Sequence, residues 1–144
     1  QLGSLPQINV ASVDYLKRHG TPRTMDELST HRVVHYADKL GLQSAAWEYQ
    51  DKGVTKRLPM QCNVVVNGTD AYHAACLAGL GMIQAPRLGM QRHLDAGTLV
   101  QVLPKLAAPP LPVSLLYAHR RHVPPRVRAA LDWITQVVSP HVAR

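Results

Sequence analysis

The sequence predicts an α/β fold, and residues 62–86 carry the main evidence for it. Three consecutive valines at 64–66 are typical of a strand buried on both faces, and the Asn-Gly pair after them is typical of a turn. Residues 71–80 favour a helix, because this small and apolar run is too long and too rich in alanine for a strand. Two glycines would end the helix, and residues 82–85 would form a second strand before a proline. The two strands of such a βαβ unit are expected to be parallel.

The start of the predicted helix is the first candidate ligand site, because ligands of open α/β sheets bind beyond the carboxyl ends of the strands. That edge carries four consecutive residues: Asn67, Gly68, Thr69 and Asp70. Thr69 is predicted to cap the helix, and its hydroxyl would join backbone N–H groups that favour an anion. Pro86 leaves the neighbouring strand at the same edge. The alternative is that Thr69 only caps its helix and Asn-Gly only turns the chain, since most helix starts bind no ligand.

Composition indicates one domain with a real core, since the chain has 144 residues and 46% of them are hydrophobic. The net charge of +7 permits contact with nucleic acid or anionic ligands without indicating either. No apolar run is long enough to cross a membrane, and residues 1–6 lack the features of a signal peptide. We therefore expect a cytoplasmic protein in which Cys62 and Cys76 are buried, reduced thiols.

A metal site is a minor possibility on spacing alone. His73 and Cys76 lie three residues apart and would share a helix face. A structural zinc ion needs four ligands, and Cys62 is the only obvious third. We predict no metal and no cofactor.

The other segments up to residue 103 predict further short strands and helices. In chain order these are a strand at 8–11, a helix at 13–19 capped by Ser12, a short helix from Met25 with a capping box starting at Thr24, a strand at 33–36, a hairpin at 47–58, helical turns at 87–96 and a strand at 99–103. Trp47 and Tyr49 point to the same face of the hairpin, where core packing is favoured over ligand stacking.

The last third of the chain changes in composition. Four prolines within residues 104–112 predict a stiff, extended linker between two units. A strand at 113–117 and an amphipathic helix from Pro124 are predicted after it. The apolar face of this helix contains Val127, Leu131, Ile134 and Val138. Arginines around the helix start are interpreted as solvated, with an anionic partner as the alternative.

The sequence contains no specific catalytic set. No G-x-S-x-G, Walker or G-x-G-x-x-G loop is present. The short G-x-G at 79–81 follows a helix and precedes a strand, which is the reverse of a dinucleotide-binding loop. We therefore predict that the protein is not an enzyme.

Six segments match, in order, the motifs of a known family. They are 10–22 (V-A-S-x-x-Y-L-x-x-H-G-x-P), 25–36, the aromatic strand at 47–49, 67–86 (ending G-x-G-I-x-x-x-P), 94–104 (L-x-x-G-x-L-V-x-V-L-P) and 117–132 (containing R-R-H). Each motif alone is weak, but together they cover nearly the whole chain. The chain resembles the effector-binding domain of LysR-type transcriptional regulators.

The resemblance implies the fold of type 2 periplasmic binding proteins, with two α/β subdomains and a small-molecule site in the cleft between them. Residues 1–110 would form the second subdomain, nearly complete, and residues 111–144 would supply the return strand and C-terminal helix of the first. The chain is thus expected to be truncated. Complete family members bind promoter DNA through an N-terminal winged helix-turn-helix and act as dimers or tetramers.

The resemblance also implies where an effector binds. The effector-binding residues would line one edge: Ser12, Tyr36, Asn67, Gly68, Thr69, Asp70 and Pro86. The expected effector is an organic or small aromatic acid, because N–H groups at a helix start favour carboxylates. The other expected partners are promoter DNA, reached only through the missing N-terminal domain, and further copies of the chain in a homo-oligomer. No membrane partner is expected.

These observations favour the effector-sensing domain of a bacterial LysR-type regulator over three alternatives. A solute-binding protein of the transport type shares the fold but would need a signal peptide upstream. A hydro-lyase resembling prephenate dehydratase would need convergent polar groups, for which Thr69 alone is insufficient. Nucleic-acid binding by the basic C-terminal segment would show a steep dependence on salt.

Overall fold

The computed structural model of the protein describes residues 1–37, 44–117 and 123–143. The chain forms two compact units, of which the larger is Gln7–Pro109 and the smaller combines Gln1–Pro6 with Pro110–Arg144. Residues 1–6 thus group with the C-terminal segment. The predicted division into residues 1–110 and 111–144 concerns subdomains of the family fold, and that assignment stays a prediction.

The described residues contain nine strands, four α-helices and three 3-10 turns. The strands are β1 (Gly3–Leu5), β2 (Gln7–Ser12), β3 (Arg32–Tyr36), β4 (Ala46–Asp51), β5 (Val54–Pro59), β6 (Gln61–Val66), β7 (Ile83–Pro86), β8 (Leu99–Gln101) and β9 (Leu111–Val113). The α-helices are α1 (Val13–His19), α2 (Thr69–Leu77), α3 (Arg87–Asp95) and α4 (Pro125–Val138). The 3-10 turns are Asp26–Thr30, Pro104–Leu106 and Ser139–His141.

The strand directions in the larger unit decide which residues share an edge. β2 lies between β7 and β8 and is antiparallel to both. β3 and β6 form a parallel pair. A parallel bridge between Val33 and Met82 joins this pair to the other three strands, and Met82 N donates to Arg32 O at 2.9 Å. The carboxyl ends of β3, β6 and β7 therefore lie at one edge, together with the amino end of β2.

The predicted βαβ unit is confirmed, with β3 lying between its two parallel strands. The prediction that the valines of β6 are buried on both faces is wrong. Val64 and Val66 pack against the core, whereas Val65 is 43% exposed. Among the described residues β6 pairs only with β3, so it is an edge strand in which alternate side chains face solvent.

The predicted hairpin is confirmed. β4 and β5 pair from Ala46–Pro59 to Asp51–Val54. Lys52 and Gly53 have φ values of 50° and 80°, as a two-residue type I′ turn requires. Trp47 is fully buried in the core, and Tyr49 packs against the same cluster, so the core interpretation of this pair is confirmed.

Two predicted local features differ in the structure. The helix near Met25 is the 3-10 turn Asp26–Thr30, whose N-cap is Met25 and not Thr24. Of the predicted capping box, Glu27 Oε2 accepts the backbone N–H of Arg23 instead of that of Thr24. The proline-rich segment is not extended throughout, because Pro104–Leu106 also forms a 3-10 turn. Composition cannot predict the turn Pro104–Leu106, since the side chain that anchors it, Asn9, lies more than ninety positions earlier in the chain.

In the smaller unit, β1 pairs antiparallel with β9, and Ser4 pairs with Ala143. The predicted strand at 113–117 is wrong: β9 is Leu111–Val113, because pairing with β1 stops at the Gly3–Val113 pair. The predicted C-terminal helix is confirmed as α4. Trp133 on this helix is 65% exposed.

A buried tyrosine–histidine pair connects α1 to β3. Tyr15 and His31 are 1% and 3% exposed, and Tyr15 Oη lies 3.0 Å from His31 Nδ1. Tyr15 Oη also accepts the backbone N–H of Arg32 at 2.9 Å, and the His19 ring stacks on the Tyr15 ring. Burial lowers the pKa of His31, and the charge of His19 lowers it further, against the opposing effect of Glu27.

This lowered pKa makes the stability of the protein depend on pH. As pH falls from about 7 to 5, the unfolded chain takes up a proton at this histidine before the folded protein does, so the free energy of unfolding falls. We expect a larger fall in the wild type than in His31→Asn, measured by urea denaturation at each pH. The exposed His141→Asn is the matched control and should follow the wild type. Parallel curves for the wild type and His31→Asn would contradict this expectation.

Candidate functional site

The end of β3 lies beside the start of α2. Tyr36 is the register partner of Val66, the last residue of β6, and Ala37 N donates to Val66 O at 2.9 Å. Asn67 follows directly, so Tyr36 is next to the turn that leads into α2. Tyr36 is 40% exposed and Asn67 is exposed, so both side chains are accessible at this edge.

The N-cap of α2 is Gly68, which corrects the prediction that Thr69 caps this helix. Gly68 has extended backbone angles, φ −137° and ψ 142°, and its carbonyl accepts the first helical bond from Tyr72 N at 3.0 Å. Thr69 is therefore the first helical residue, and no side chain among the described residues caps the helix start. Within the part of the chain that the structure describes, the backbone N–H groups of this first turn have no intrahelical or side-chain partner, which makes them available to an anion. Thr69 and Asp70 are exposed.

Tyr72 on α2 connects this edge to β7. Its ring packs edge-on against Tyr36, with ring centroids 5.6 Å apart. Its hydroxyl accepts the backbone N–H of Gln84 at 3.2 Å and lies 3.3 Å from the Gln84 carbonyl. Burial raises the pKa of Tyr72 to about 12, so the phenol stays protonated at neutral pH. Tyr72 thereby fixes α2 to β7 and sets the orientation of the Tyr36 ring.

Ser12 does not share this edge, which corrects the sequence prediction. β2 is antiparallel to β7, so its carboxyl end lies opposite the carboxyl ends of β3, β6 and β7. Ser12 is the register partner of Leu99, and its Oγ accepts the backbone N–H of Tyr15 at 3.1 Å. It is 3% exposed and caps α1, so its hydroxyl is used within the fold.

Pro86 lies at the expected edge, where the chain also enters and leaves the larger unit. It ends β7 and pairs with Gln7, the first residue of β2. Gln7 Nε2 donates to the carbonyl of Pro109, the last residue of the larger unit, at 2.6 Å. Both chain connections of the larger unit are therefore held together beside Pro86.

A buried carboxamide network was missed by sequence reasoning. Asn9 is fully buried in β2, and its Oδ1 accepts Gln84 Nε2 from β7 at 2.8 Å. Gln84 also binds both the N–H and the carbonyl of Glu48, so it pairs with β4 as a strand would. The sequence indicates a buried polar group at each position, because Asn9 and Gln84 each stand between two apolar residues, but it does not indicate that the two side chains meet.

The same network anchors the turn after β8. Asn9 Nδ2 donates to the carbonyls of Leu103 and Leu106 at 2.9 and 3.0 Å. Trp47 Nε1 donates to the Leu106 carbonyl at 3.2 Å. Two buried side chains therefore hold the 3-10 turn Pro104–Leu106 against the hairpin and the sheet.

Metal ligation is not indicated by the part of the chain that the structure describes. No group of three or more His, Cys, Asp or Glu side chains is placed there to hold an ion. Cys76 is buried, burial raises the pKa of its thiol to about 12, and its Sγ lies 3.7 Å from the Val10 carbonyl. Cys62 is half-buried. No helix among the described residues is both long and apolar enough to span a membrane.

Comparison with known proteins identifies the family. A family described as "LysR substrate binding domain" matches residues 1–139. The chain belongs to this family. The LysR resemblance is therefore confirmed, and with it the prediction that the chain is a LysR substrate-binding domain. The family is not enzymatic in general.

The relatives of this LysR domain are longer proteins. The Escherichia coli K12 protein named "Uncharacterized HTH-type transcriptional regulator YhjC" is 36% identical over 141 residues, covering 98% of this chain and 47% of that protein. The "HTH-type transcriptional activator AaeR" of the same strain is 25% identical over 135 residues, covering 94% and 43%. The chain thus spans about half the length of the curated relatives it matches. The names of these relatives favour a transcriptional regulator over a solute-binding protein of the transport type.

Solved structures confirm the predicted fold, that of periplasmic-binding-protein-like LysR regulatory domains. The full-length Vibrio cholerae virulence activator AphB aligns with a TM-score of 0.74 at 26% identity, covering 99% of this chain and 47% of AphB. The regulatory domain of Neisseria meningitidis CrgA aligns with a TM-score of 0.76 at 21% identity, covering 94% of this chain and 66% of that domain. The CrgA likeness concerns the fold alone.

Proposed function

We propose that this LysR domain binds a small organic or aromatic acid at the sheet edge formed by Tyr36, Asn67, Gly68 and Thr69. The observation that supports this most is the uncapped start of α2 beside an exposed tyrosine ring. The ligand carboxylate would accept backbone N–H groups of the first helical turn, where the helix dipole favours negative charge. The Tyr36 ring would pack against the body of the ligand.

The neighbouring residues have supporting roles in this proposal. Asp70 adds a carboxylate in the first turn of α2. This charge would repel a ligand with a second carboxylate and would favour a monocarboxylate that also carries a hydroxyl or amine donor. Pro86 closes the edge at the end of β7, next to both chain connections of the larger unit. A ligand that contacts this edge would therefore lie close to the segments that lead to the smaller unit.

The wider role is also a proposal. We infer that a complete regulator binds promoter DNA through an N-terminal helix-turn-helix, works in the cytoplasm as a homo-oligomer, and uses the effector to alter that binding without catalysing a reaction. The relatives named as HTH-type regulators support this inference. Analytical ultracentrifugation of the intact regulator, with and without an acid that binds, would measure the oligomeric state.

Two substitutions at one position test the binding mode. Thr69→Pro removes one backbone N–H at the first helical position, which tolerates proline. The extended angles of Gly68 suit the residue before a proline, so α2 should stay folded. Thr69→Val is the matched control, because it keeps the N–H and removes only the hydroxyl. A panel of organic and aromatic acids is first screened by calorimetry to find an acid that binds the wild type.

We expect Thr69→Pro to weaken binding of that acid about tenfold or more, since charge-assisted hydrogen bonds contribute about 1.5–3 kcal/mol each. Thr69→Val should bind within about threefold of the wild type. Circular dichroism should show equal helix content in all three proteins. Wild-type affinity in Thr69→Pro would show that the carboxylate lies elsewhere.

A further inference from the structure

A groove lies on the larger unit, at the turn that follows β8. It has a volume of about 280 Å³ and is lined by Arg23, Leu103, Pro104, Lys105 and Leu106. None of these residues belongs to the sheet edge beside the start of α2, where the effector is proposed to bind. The groove approaches the lower size limit of small-molecule pockets.

The lining combines an apolar wall with two cations. Leu103, Pro104 and Leu106 supply the apolar surface, and Arg23 and Lys105 are exposed. None of the ion pairs within residues 1–37, 44–117 and 123–143 includes either cation. Among the described residues, the Glu27 carboxylate accepts the backbone N–H of Arg23 and forms no ion pair with its guanidinium. Both cationic groups are therefore available to an anion.

The wall of the groove is held rigidly. Leu103 has φ 44° and ψ 57°, the left-handed conformation that a bulky side chain rarely adopts. Buried Asn9 binds the carbonyls on both sides of the turn, and Trp47 binds the second of them, so this strained geometry is fixed by the core. Strain that the surroundings over-determine is concentrated at binding sites and switches. The groove is thus preorganised, which lowers the entropic cost of filling it.

We propose that this groove binds a small monocarboxylate with an apolar body, such as a short-chain fatty acid. Its carboxylate lies between Arg23 and Lys105, and its chain lies against Leu103, Pro104 and Leu106. The site goes beyond the proposed effector edge, because it uses a different set of residues. Its occupant would contact the segment that leads out of the larger unit at Pro109.

The test is an ¹H–¹⁵N NMR titration of the 144-residue chain with hexanoate. We expect saturable shifts at residues 23 and 103–106, and none there with hexylamine, which reverses the charge, or with acetate, which lacks the apolar body. The double variant Arg23→Gln/Lys105→Gln should bind hexanoate at least tenfold more weakly. Arg126→Gln/Arg128→Gln on α4 is the control with the same change in net charge, and it should bind as the wild type does.

The groove proposal would be overturned by no saturable shift at 103–106, by unchanged affinity in the Arg23/Lys105 double variant, or by equal shifts with hexylamine. The variant Thr69→Pro distinguishes hexanoate bound in the groove from hexanoate bound at the proposed effector edge beside the start of α2. If this variant keeps the shifts at 103–106, the groove stands whatever happens to the effector edge. If Thr69→Pro abolishes hexanoate binding, hexanoate occupies the edge and the groove proposal fails while the effector proposal stands.

Discussion

Gly81→Ala is expected to destabilise the larger unit by about 3 kcal/mol or more, because an added methyl group has no room there. A Cβ at this position would lie 2.7 Å from the carbonyl carbon of Val33 and 2.8 Å from Val34 N. Both atoms belong to the backbone of β3, so no side-chain rotation relieves the clash. β3 would have to move at the bridge that joins it to Met82. Differential scanning calorimetry should show a Tm lower by about 10 °C.

Gly89→Ala is the matched control for this prediction. Gly89 lies inside α3, and a Cβ there would meet His73 Cε1 at 3.6 Å, which is an ordinary contact. Replacing a glycine within a helix by alanine stabilises by about 0.5–1 kcal/mol. The two variants should therefore move Tm in opposite directions. Equal stability of Gly81→Ala and the wild type would show that β3 and Met82 are not this close in solution.

Asn9→Ala should be the second large effect, with a loss of about 3 kcal/mol in the free energy of unfolding. The substitution leaves a buried carbonyl at Leu103 without its donor, removes one of two donors at Leu106, and frees Gln84 Nε2 from one acceptor. Each buried polar group left unsatisfied costs about 1–3 kcal/mol, and the lost volume adds to this. Urea denaturation followed by circular dichroism measures the change.

Asn63→Ala on β6 is the control for this second prediction. Asn63 is exposed, and its side chain makes one long hydrogen bond of 3.5 Å to the Leu80 carbonyl. Its replacement should change stability by no more than about 0.5 kcal/mol. If both alanine variants unfold at the same urea concentration, the buried carboxamide network does not hold the Pro104–Leu106 turn as described.

Elements encoded by local signals were predicted well from the sequence. Ser12 caps α1, Gly79 ends α2 with φ 75°, and Lys52 with Gly53 closes the hairpin, as their residue types indicate. In each case the deciding interactions lie within a few residues of one another, so a single sequence contains the information. Local patterns alone predict no more of the fold than one βαβ unit. The complete fold class was predicted from the family motifs.

The errors came from contacts that are distant in sequence. Ser12 was placed at the wrong edge because the direction of β2 is set by its pairing with β7, which the sequence does not specify. Asn9 and Gln84 are 75 residues apart, so their contact was invisible to pattern reasoning. The Thr69 error is small and local: Gly68 adopts the extended cap geometry, and the helix begins at Thr69, one residue earlier than a threonine cap would give.

The proposed binding of the effector carboxylate at the uncapped start of α2 can be observed directly. The most direct measurement is a crystal structure of this LysR domain with the tightest-binding acid from the calorimetric screen. We predict that the carboxylate oxygens lie within about 3 Å of backbone N–H groups at Thr69 and Asp70, with the ligand body against Tyr36. A ligand that lies away from this edge, with the helix start contacting only solvent, would contradict the proposed binding mode.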